Sequence, residues 1–509
     1  MTPSTENGNQ MDRTFGTSRR RSRIEHRPTE FLNELRPEIE SIREENDMNT
    51  YSKHKNEYFL STNEWDNSGA PSLTDVTSHV STHSKNDNAN MIPPKRSIAL
   101  ILVNSIMSDM SFGVALPTSP SYTQKLGGTD AFSGLVVGIP TLISLLMLYP
   151  MLLFATPKSA KGYTLYYRPM LVSVFAHSVG HLLYCMADQA NWLYLILIGR
   201  MFNGIGFTMF LYHKKYTTDK LLVGQNRRTF LATLNILAQT LGFMAGPFLG
   251  GILAKGTRNL ENRVFNQYTG GSWFMMYIWI LFGVFLVIFY KEVYPKDDHT
   301  VLEKPVDVDE NSGPLSLRHI YLLSFLGLAA FVSYFNISGY QTSIPIYANK
   351  LYNYNAYQSG NFISLAALVI SPFVFFSTFL SRWLEDRHIM LIGFIIGIIA
   401  LVLHLVLDTL HKIPVQAYFV LYSIMMYGFS IGSAPLVSLA SKQMQPKYHV
   451  LSSVLFQVGL SLSNTVGAIC GGAIYSITTV GFIGLCIGLS VVSFIQFLTL
   501  WNSMKLKLN

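Results

Sequence analysis

The sequence predicts an all-α polytopic membrane protein with twelve transmembrane helices in two six-helix bundles and with both termini in the cytoplasm. Three observations support this fold class: charged residues are scarce, apolar stretches of spanning length recur, and the two halves of the chain repeat one another. Only 13% of the 509 residues are charged, against about 25% in ordinary soluble domains. The low charge excludes a soluble multidomain enzyme over most of the length.

The charges are concentrated near the N-terminus. Residues 1–96 hold 13 Lys/Arg and 15 Asp/Glu, which leaves 40 charged residues for the other 413. This polar composition predicts a disordered cytoplasmic tail over 1–96, in which Ser22 follows a run of arginines and is a candidate phosphorylation site. The other predicted segments are a six-helix bundle at 97–290, a cytoplasmic linker at 291–318, a second six-helix bundle at 319–503 and a cytoplasmic C-terminus at 504–509.

Twelve apolar stretches approach the length that a helix needs to cross a bilayer, about 20 residues. If the N-terminus is cytoplasmic, the cytoplasmic segments from Lys95 onward hold 20 Lys/Arg and the opposite side holds six. This charge bias indicates that both termini are cytoplasmic. The predicted spans are 97–117, 131–154, 169–187, 191–212, 230–254, 272–290, 319–341, 360–381, 388–407, 415–440, 451–475 and 479–501.

An internal repeat divides these spans into six and six. The pattern P-x-Y-x-x-K-L begins at Pro120 and again at Pro345, which lies 225 positions later. Gly242 and Gly246 also have glycine counterparts at this offset. Parallel duplications of this type occur in transporters, whose substrate site lies between the repeats near the membrane midplane.

The fourth and fifth predicted spans carry motifs of small residues around unusual groups. Arg200 places a guanidinium inside the membrane, where such a group usually faces a partner or a watery cavity. Small residues allow neighbouring helices to approach closely, and a proline bends the helix that contains it. The residues predicted to pack helices in these motifs are Gly204, Gly206, Gly242, Gly246, Pro247, Gly250 and Gly251.

These motifs resemble signatures of the major facilitator superfamily. The stretch that begins at Arg200 is similar to R-x-x-(Q/N)-G-x-G, and the stretch that begins at Gly242 is similar to G-x-x-x-G-P-x-x-G-G. The resemblance covers about 97–503 and implies the major facilitator fold and a transport function. Residues 214–219 look most like the vacuolar and lysosomal branch, which includes SPX-fused vacuolar phosphate transporters and a lysosomal anion-conducting member. That likeness implies a vacuolar or lysosomal membrane in preference to the plasma membrane.

Asp109 is the only acid deep inside a predicted span, and its predicted depth matches that of Arg200. Each residue lies eight positions from the outer end of its helix, which is about 12 Å. The functional hypothesis is a proton-coupling ion pair, in which Asp109 takes up a proton from an acidic side and releases Arg200. The alternatives are a structural ion pair and a carboxyl group that reaches polar surroundings through neighbouring serines.

Polar side chains on equivalent spans predict a substrate cavity. The seventh span is polar and aromatic over 334–341, and the corresponding part of the first span is 108–113. The alternative is hydrogen bonding between helices, which contributes about 0.6–2 kcal/mol per contact in membranes. The candidate cavity residues are Ser108, Asn235, Gln239, Tyr334, Asn336, Tyr340 and Asn464.

His177 and His181 are four residues apart in the third span and therefore share one helix face. With a third ligand they could hold a metal ion, and a histidine near the midplane could relay protons. The favoured interpretation is packing in the interior, because no aspartate or cysteine accompanies the pair. The sequence therefore predicts no metal site.

The leading functional expectation is a secondary active transporter of a small polar or anionic solute that works by alternating access, with proton coupling as a further expectation. The alternatives are a passive anion channel or uniporter on the same fold and a non-transporting membrane receptor. The sequence contains no nucleotide-binding loop and no nucleophile–base arrangement, so we expect neither an enzyme nor a cofactor. The expected partners are a small-molecule or ion substrate and the lipid bilayer, with no nucleic acid and a monomeric state.

Overall fold

The computed structural model describes most of the chain beyond residue 90, and its regular elements in that part are helices. Residues 1–90 of the predicted tail, with Ser22, most of the predicted linker and residues 505–509 lie outside the described residues. The expectations made for those segments therefore stay predictions. The described ranges are 91–155, 164–219, 222–260, 262–292, 317–380, 383–410, 413–443 and 448–504.

The first half of the described chain forms helices α1 to α9. Consecutive helices α3 and α4 are inclined to each other by 46°, and α6 continues into α7 as one span. The bounds are α1 Lys95–Gly113, α2 Ser119–Lys125, α3 Asp130–Leu146, α4 Leu148–Ala155, α5 Tyr167–Ala190, α6 Leu193–Phe207, α7 Met209–Thr218, α8 Gln225–Gly256 and α9 Gly270–Phe289.

The second half forms helices α10 to α16. The first of them is the longest, with 36 residues. The bounds are α10 Leu317–Tyr352, α11 Ala356–Leu380, α12 Asp386–Thr409, α13 Val415–Ser433, α14 Leu436–Gln443, α15 His449–Gly472 and α16 Thr479–Thr499.

Each of the twelve predicted spans coincides with one of these helices or with two consecutive ones. Ten described helical segments are long and apolar enough to cross a membrane, and the bent pair α3–α4 makes an eleventh. Helix α1 is not in that set, and it carries the polar residues Asn104, Ser105, Ser108 and Asp109 among its 19 residues. Ten or eleven spans are therefore supported, and the count of twelve stays a prediction.

The helices present large apolar side chains on their outer surface. Tyr149 is 70% exposed, Phe175 is 66% exposed and Ile288 is 65% exposed. Soluble monomers rarely expose extensive apolar patches, whereas lipid tails solvate such side chains readily. The exposed surface is therefore that of a protein embedded in a bilayer.

Contacts between loops and helix ends define the two ends of the bundle. We call the end where α1 begins the near end, and there Ser97 donates a hydrogen bond at 3.0 Å to a backbone carbonyl just after α9. We call the other end the far end, and there Lys125 of α2 forms an ion pair with Asp188 of α5. Lys255, at the end of α8, lies 4.5 Å from the ring centroid of Tyr357 at the start of α11. The start of α11 in the second half therefore lies at the far end.

Glycines bring the first and fifth spans of each half into backbone contact. In the first half, a Cβ atom on Gly246 of α8 would lie 2.9 Å from Cα of Gly113 in α1. In the second half, a Cβ atom on Gly471 of α15 would lie 2.0 Å from the carbonyl oxygen of Gly339 in α10. Because Gly246 and Gly471 are related by the repeat offset, the repeat in the sequence corresponds to a repeated helix–helix contact.

Among the described residues, two helix pairs bring the backbones of the halves close together near the far end. Helix α3 lies on α15, where a Cβ atom on Gly134 would be 2.2 Å from the carbonyl oxygen of Ala468. Helix α8 lies on α11, where a Cβ atom on Gly360 would be 2.4 Å from the carbonyl oxygen of Pro247. Small residues permit such close backbone approach. We call these two contacts the far-end seams.

We expect Gly471→Ala to destabilise the protein by about 1–3 kcal/mol, because the added Cβ atom would overlap the backbone of α10. Gly488 of α16 provides the matched control, since a Cβ atom there would have nothing within 4 Å. Alanine is also favoured over glycine in a helix by about 1 kcal/mol. Thermal unfolding of the two purified variants measures the difference, and equal melting temperatures would contradict the packing.

Candidate functional site

Arg200 of α6 is buried and donates hydrogen bonds to backbone carbonyls of two other helices. Its Nη1 and Nη2 atoms donate to the carbonyls of Ser111 at 3.0 Å and Phe112 at 3.4 Å. These carbonyls are in the last turn of α1, whose final carbonyls lack partners within the helix. The negative end of the α1 dipole also favours a cation there. Arg200 therefore caps the C-terminus of α1.

The third bond of Arg200 depends on a proline. Its Nε atom donates at 3.2 Å to the carbonyl of Val136 in α3. In a regular helix that carbonyl would accept from the residue four positions later, which is Pro140. Because proline has no N–H group, the carbonyl is left for the guanidinium. Arg200 thus joins α6 to both α1 and α3.

The predicted ion pair between Asp109 and Arg200 is not formed among the described residues. The guanidinium donates hydrogen bonds to the three carbonyls instead. The Oδ2 atom of Asp109 is buried without a hydrogen-bond partner. The prediction placed the end of the first span at residue 117, whereas α1 ends at Gly113. That early end creates the free carbonyls that Arg200 caps.

Lys214 of α7 is close enough for its charge to act on the carboxyl group of Asp109, without forming an ion pair with it. Helix α8 closes the other side of the carboxylate, because a Cβ atom on Gly242 would lie 2.9 Å from Cβ of Asp109. Asp109 is half-buried and Lys214 is exposed. The sequence shows that Lys214 is a cation at the end of an apolar span, but it does not indicate that α1 is its neighbour.

The histidine pair lies in the interior of the first half. His177 stacks on Trp279 of α9 with ring centroids 4.3 Å apart, and the Nε2 atom of His181 lies 3.1 Å from the hydroxyl of Ser111. Trp279 donates to the same hydroxyl at 2.7 Å. Gly206 makes room for this cluster, since a Cβ atom there would lie 2.1 Å from Nδ1 of His177. Within the described residues, no group of three or more His, Cys, Asp or Glu side chains could hold a metal ion.

His213 is a further buried histidine of the first half, and the sequence analysis did not single it out. The Nε2 atom of His213 in α7 lies 2.8 Å from Oδ1 of Asn104 in α1. Both residues are fully buried. Since His213 precedes Lys214, this contact and the Asp109–Lys214 interaction both join the same turn of α7 to α1.

Three of the predicted cavity residues are buried, and each forms a hydrogen bond with a group of its own half. Asn336 donates to the hydroxyl of Ser490 in α16 at 3.1 Å, and the Tyr340 hydroxyl lies 2.7 Å from Nδ1 of His404 in α12. Ser108 donates to a carbonyl of its own helix. These contacts match the alternative of hydrogen bonding between and within helices, and a role of these three residues in substrate binding stays a prediction.

The other four predicted cavity residues differ in burial. Asn235 is 2% exposed, and its Oδ1 atom has no hydrogen-bond partner. Gln239, Tyr334 and Asn464 are half-buried. The backbone of Asn464 lies at the α3–α15 seam, because its carbonyl oxygen would be 3.1 Å from a Cβ atom on Gly138. A role in substrate binding stays a prediction for all four.

The repeated P-x-Y-x-x-K-L motif contacts an aspartate at the far end of each half. In the first half, Tyr122 accepts a hydrogen bond from the backbone N–H of Asp188 at 2.9 Å. In the second half, Tyr347 donates to Oδ1 of Asp408 at 2.6 Å. The motif lysine of the second half, Lys350, lies 3.7 Å from the ring centroid of Tyr475. The motif therefore tethers the third span of each half.

Comparison with protein families decides the classification. The family model described as the Major Facilitator Superfamily matches residues 101–468. The chain belongs to the Major Facilitator Superfamily. This membership confirms the resemblance that the fourth-span and fifth-span motifs indicated.

Relatives in the superfamily cover nearly the whole chain. The MFS-type transporter C330.07c of Schizosaccharomyces pombe is 61% identical over 492 residues, which are 96% of this chain and 97% of that protein. An SPX domain-containing membrane protein of Arabidopsis thaliana, At4g11810, is 30% identical over 209 residues, which are 41% of this chain and 28% of that protein. Transport is therefore the general activity of the family to which the chain belongs.

A solved structure has the same fold. The bacterial homologue of the human lysosomal transporter Spinster, in an inward-facing and occupied conformation, superimposes with a TM-score of 0.60 at 13% identity. The alignment covers 81% of this chain and 97% of that structure. At this identity the likeness describes the fold of this superfamily member.

We expect a double-mutant cycle to separate the two possible partners of Asp109. Asp109→Asn and Lys214→Gln should be non-additive in melting temperature, because each removes the same electrostatic interaction. Asp109→Asn and Arg200→Gln should be close to additive, because Arg200 bonds to carbonyls. The reverse pattern, with coupling only to Arg200, would contradict the geometry.

Proposed function

We propose that this superfamily member is a secondary active transporter that moves a small polar or anionic solute by alternating access. The observation that carries the proposal is the arrangement of contacts between the halves. Each half is held together by glycine-lined contacts of its own, and the described halves meet closely at the far-end seams. Opening these seams would expose the space between the halves at the far end without disturbing either half.

We further propose twelve spans with both termini in the cytoplasm, so that the near end is cytoplasmic. The bundles then comprise 97–290 and 319–503. Support comes from the excess of Lys/Arg in the segments at the near end and from the helix found at every predicted span. We propose that the protein works as a monomer, without a cofactor and without catalysing a chemical reaction.

Asp109 is proposed as the proton-coupling group, with Lys214 in the role first expected of Arg200. A carboxylate inside a membrane span is commonly functional, and the Oδ2 atom of Asp109 forms no hydrogen bond that would commit it to a structural role. Uptake of a proton by Asp109 would remove the charge of its carboxylate and so weaken its attraction to Lys214. Arg200 stabilises the fold instead.

We expect solute-driven proton movement in liposomes loaded with a pH-sensitive dye, and its loss in Asp109→Asn. The screen uses inorganic anions, amino acids and sugars as external solutes. Glu385→Gln provides a matched control, because it removes a carboxylate that pairs with Arg387 at a helix start, outside the first half. Solute flux without proton movement, and equal in all three proteins, would instead indicate a uniporter or a channel.

We propose a vacuolar or lysosomal membrane as the location, on the basis of the branch resemblance and the SPX domain-containing relatives. A fluorescent fusion to the full chain, imaged beside a dye for the organelle membrane, is expected to mark that membrane. Signal confined to the plasma membrane would contradict the location while leaving the transport proposal intact.

A further inference from the structure

A polar cleft of about 410 Å³ lies at the far end, between the two halves. Its first-half wall includes Lys255 and Arg258 from the end of α8 and from the turn that follows it. Its second-half wall includes Tyr357 from the first turn of α11. The cleft therefore spans the same two helices that meet at the α8–α11 seam.

Two cations line this cleft, and no carboxylate from the described part of the chain does so. Lys255 and Arg258 are exposed, and neither forms an ion pair with a described acid. The Lys255 ammonium lies 4.5 Å from the ring centroid of Tyr357, so an aromatic face holds it in place while leaving its charge unneutralised. The cleft therefore carries positive charge.

Asp188, a described acid of the far end, is already paired. Asp188 accepts from Lys125 in an ion pair and from Nδ2 of Asn266 at 2.7 Å. Lys125 also lies 5.1 Å from the ring centroid of Tyr268, which lines the cleft. The carboxylate thus neutralises a neighbouring lysine and is not a counter-ion for Lys255 or Arg258.

The start of α11 adds to the positive potential. Asn355 and Gln358 cap it reciprocally: the N–H of Gln358 donates to Oδ1 of Asn355 at 3.1 Å, and the N–H of Asn355 donates to Oε1 of Gln358 at 3.0 Å. Both residues line the cleft together with Ala356 and Tyr357. The first N–H groups of a helix have no partner within it, and the helix dipole is positive there. The α11 N-terminus therefore favours an anion in the cleft.

Neutral donors complete the lining. The hydroxyl of Ser121 and the amide of Gln267 border the same space. Thr118 and Asn349 also line it and donate hydrogen bonds to the carbonyls of Ala115 and Tyr354. Such groups donate hydrogen bonds to oxygen acceptors. Together with the two cations, they suit a small anion that carries several oxygen atoms.

The cleft is one helical turn beyond a far-end seam. A Cβ atom on Gly251, one turn before Lys255, would lie 3.1 Å from Cα of Tyr357. A solute in the cleft would thus stand at the outer side of the contact that separates it from the space between the halves. Residues that attract the solute at this point would raise its local concentration at the transport path.

We propose that the far-end cleft binds a small oxyanion, such as phosphate, sulfate or a carboxylate, where it enters or leaves the transport path. The proposal rests on the proposed transport function and names its substrate class as anionic. Lys255 and Arg258 supply charge, and the α11 N-terminus with the neighbouring hydroxyls and amides supplies hydrogen-bond donors.

The test is the melting temperature of the purified full chain, titrated with sodium phosphate, sodium sulfate or sodium succinate. Ionic strength is held constant with sodium chloride, and sorbitol serves as a neutral solute. We expect at least one of the three anions to stabilise the wild type, and the double substitution K255Q/R258Q to weaken its apparent affinity about tenfold, the loss typical of a charged hydrogen bond.

Arg263→Gln is the matched control, because Arg263 is an exposed arginine of the same end that does not line the cleft. It should bind the anion as the wild type does. Lys255→Arg should also retain binding, which guards against misfolding as the cause of the loss. Stabilisation of the wild type by none of the anions, or equal affinity of K255Q/R258Q and R263Q, would overturn the proposal.

Anion flux in liposomes tests binding in the cleft separately from the proposed transport function. The double variant should show a KM for the anion raised about tenfold with little change in kcat, since it removes binding at the mouth and leaves the interior intact. Anion binding without any flux in the wild type would overturn the transport proposal and keep the cleft. Normal flux with unchanged KM in K255Q/R258Q would keep transport and overturn the cleft.

Discussion

The first half depends on the guanidinium of Arg200, which joins three helices through their backbones. Its acceptors exist because α1 ends at Gly113 and because Pro140 cannot bond to the carbonyl of Val136. A buried guanidinium is stable only when its donors are satisfied, and the free carbonyls have the same requirement. The cation and the broken helices therefore stabilise one another. As a result, the Asp109 carboxylate is left without this partner, within reach of the Lys214 charge.

The second constraint is the close approach of backbones within each half. Gly246 of α8 packs against α1, and Gly471 of α15 packs against α10 in the corresponding way. The two halves therefore share one internal architecture, as expected of a parallel duplication. Between the halves, the backbones approach closely at the far-end seams, and polar bonds such as Thr141 to Thr465 at 3.3 Å cross the first of them. The cation-lined cleft lies directly beyond the second seam. Closely packed halves that meet along two helix pairs suit the proposed movement of the halves against each other.

Predictions from the sequence were correct where local properties of the chain determine the structure. They were wrong where the bonding partner of a buried side chain had to be identified. Span positions follow from hydropathy, and the glycine motifs mark helix contacts because nothing larger fits. Asn336 and Tyr340 were predicted to line a substrate cavity because their span is polar, and polarity alone does not identify the hydrogen-bond partner of a side chain. Their partners, Ser490 and His404, are on other helices of the same half, and no local pattern identifies them.

The sequence by itself determined the all-helical membrane fold, the family and the two-fold repeat, because apolar length, small-residue motifs and a constant offset are local or periodic properties of the chain. Only the tertiary structure decided the partners of the buried charges. Arg200 bonds to carbonyls that become free where a helix ends, and that end was four residues earlier than hydropathy indicated. Lys255 and Arg258 face the start of α11, about a hundred residues away in the chain. Such pairings depend on how the helices pack, and packing is a property of the whole fold.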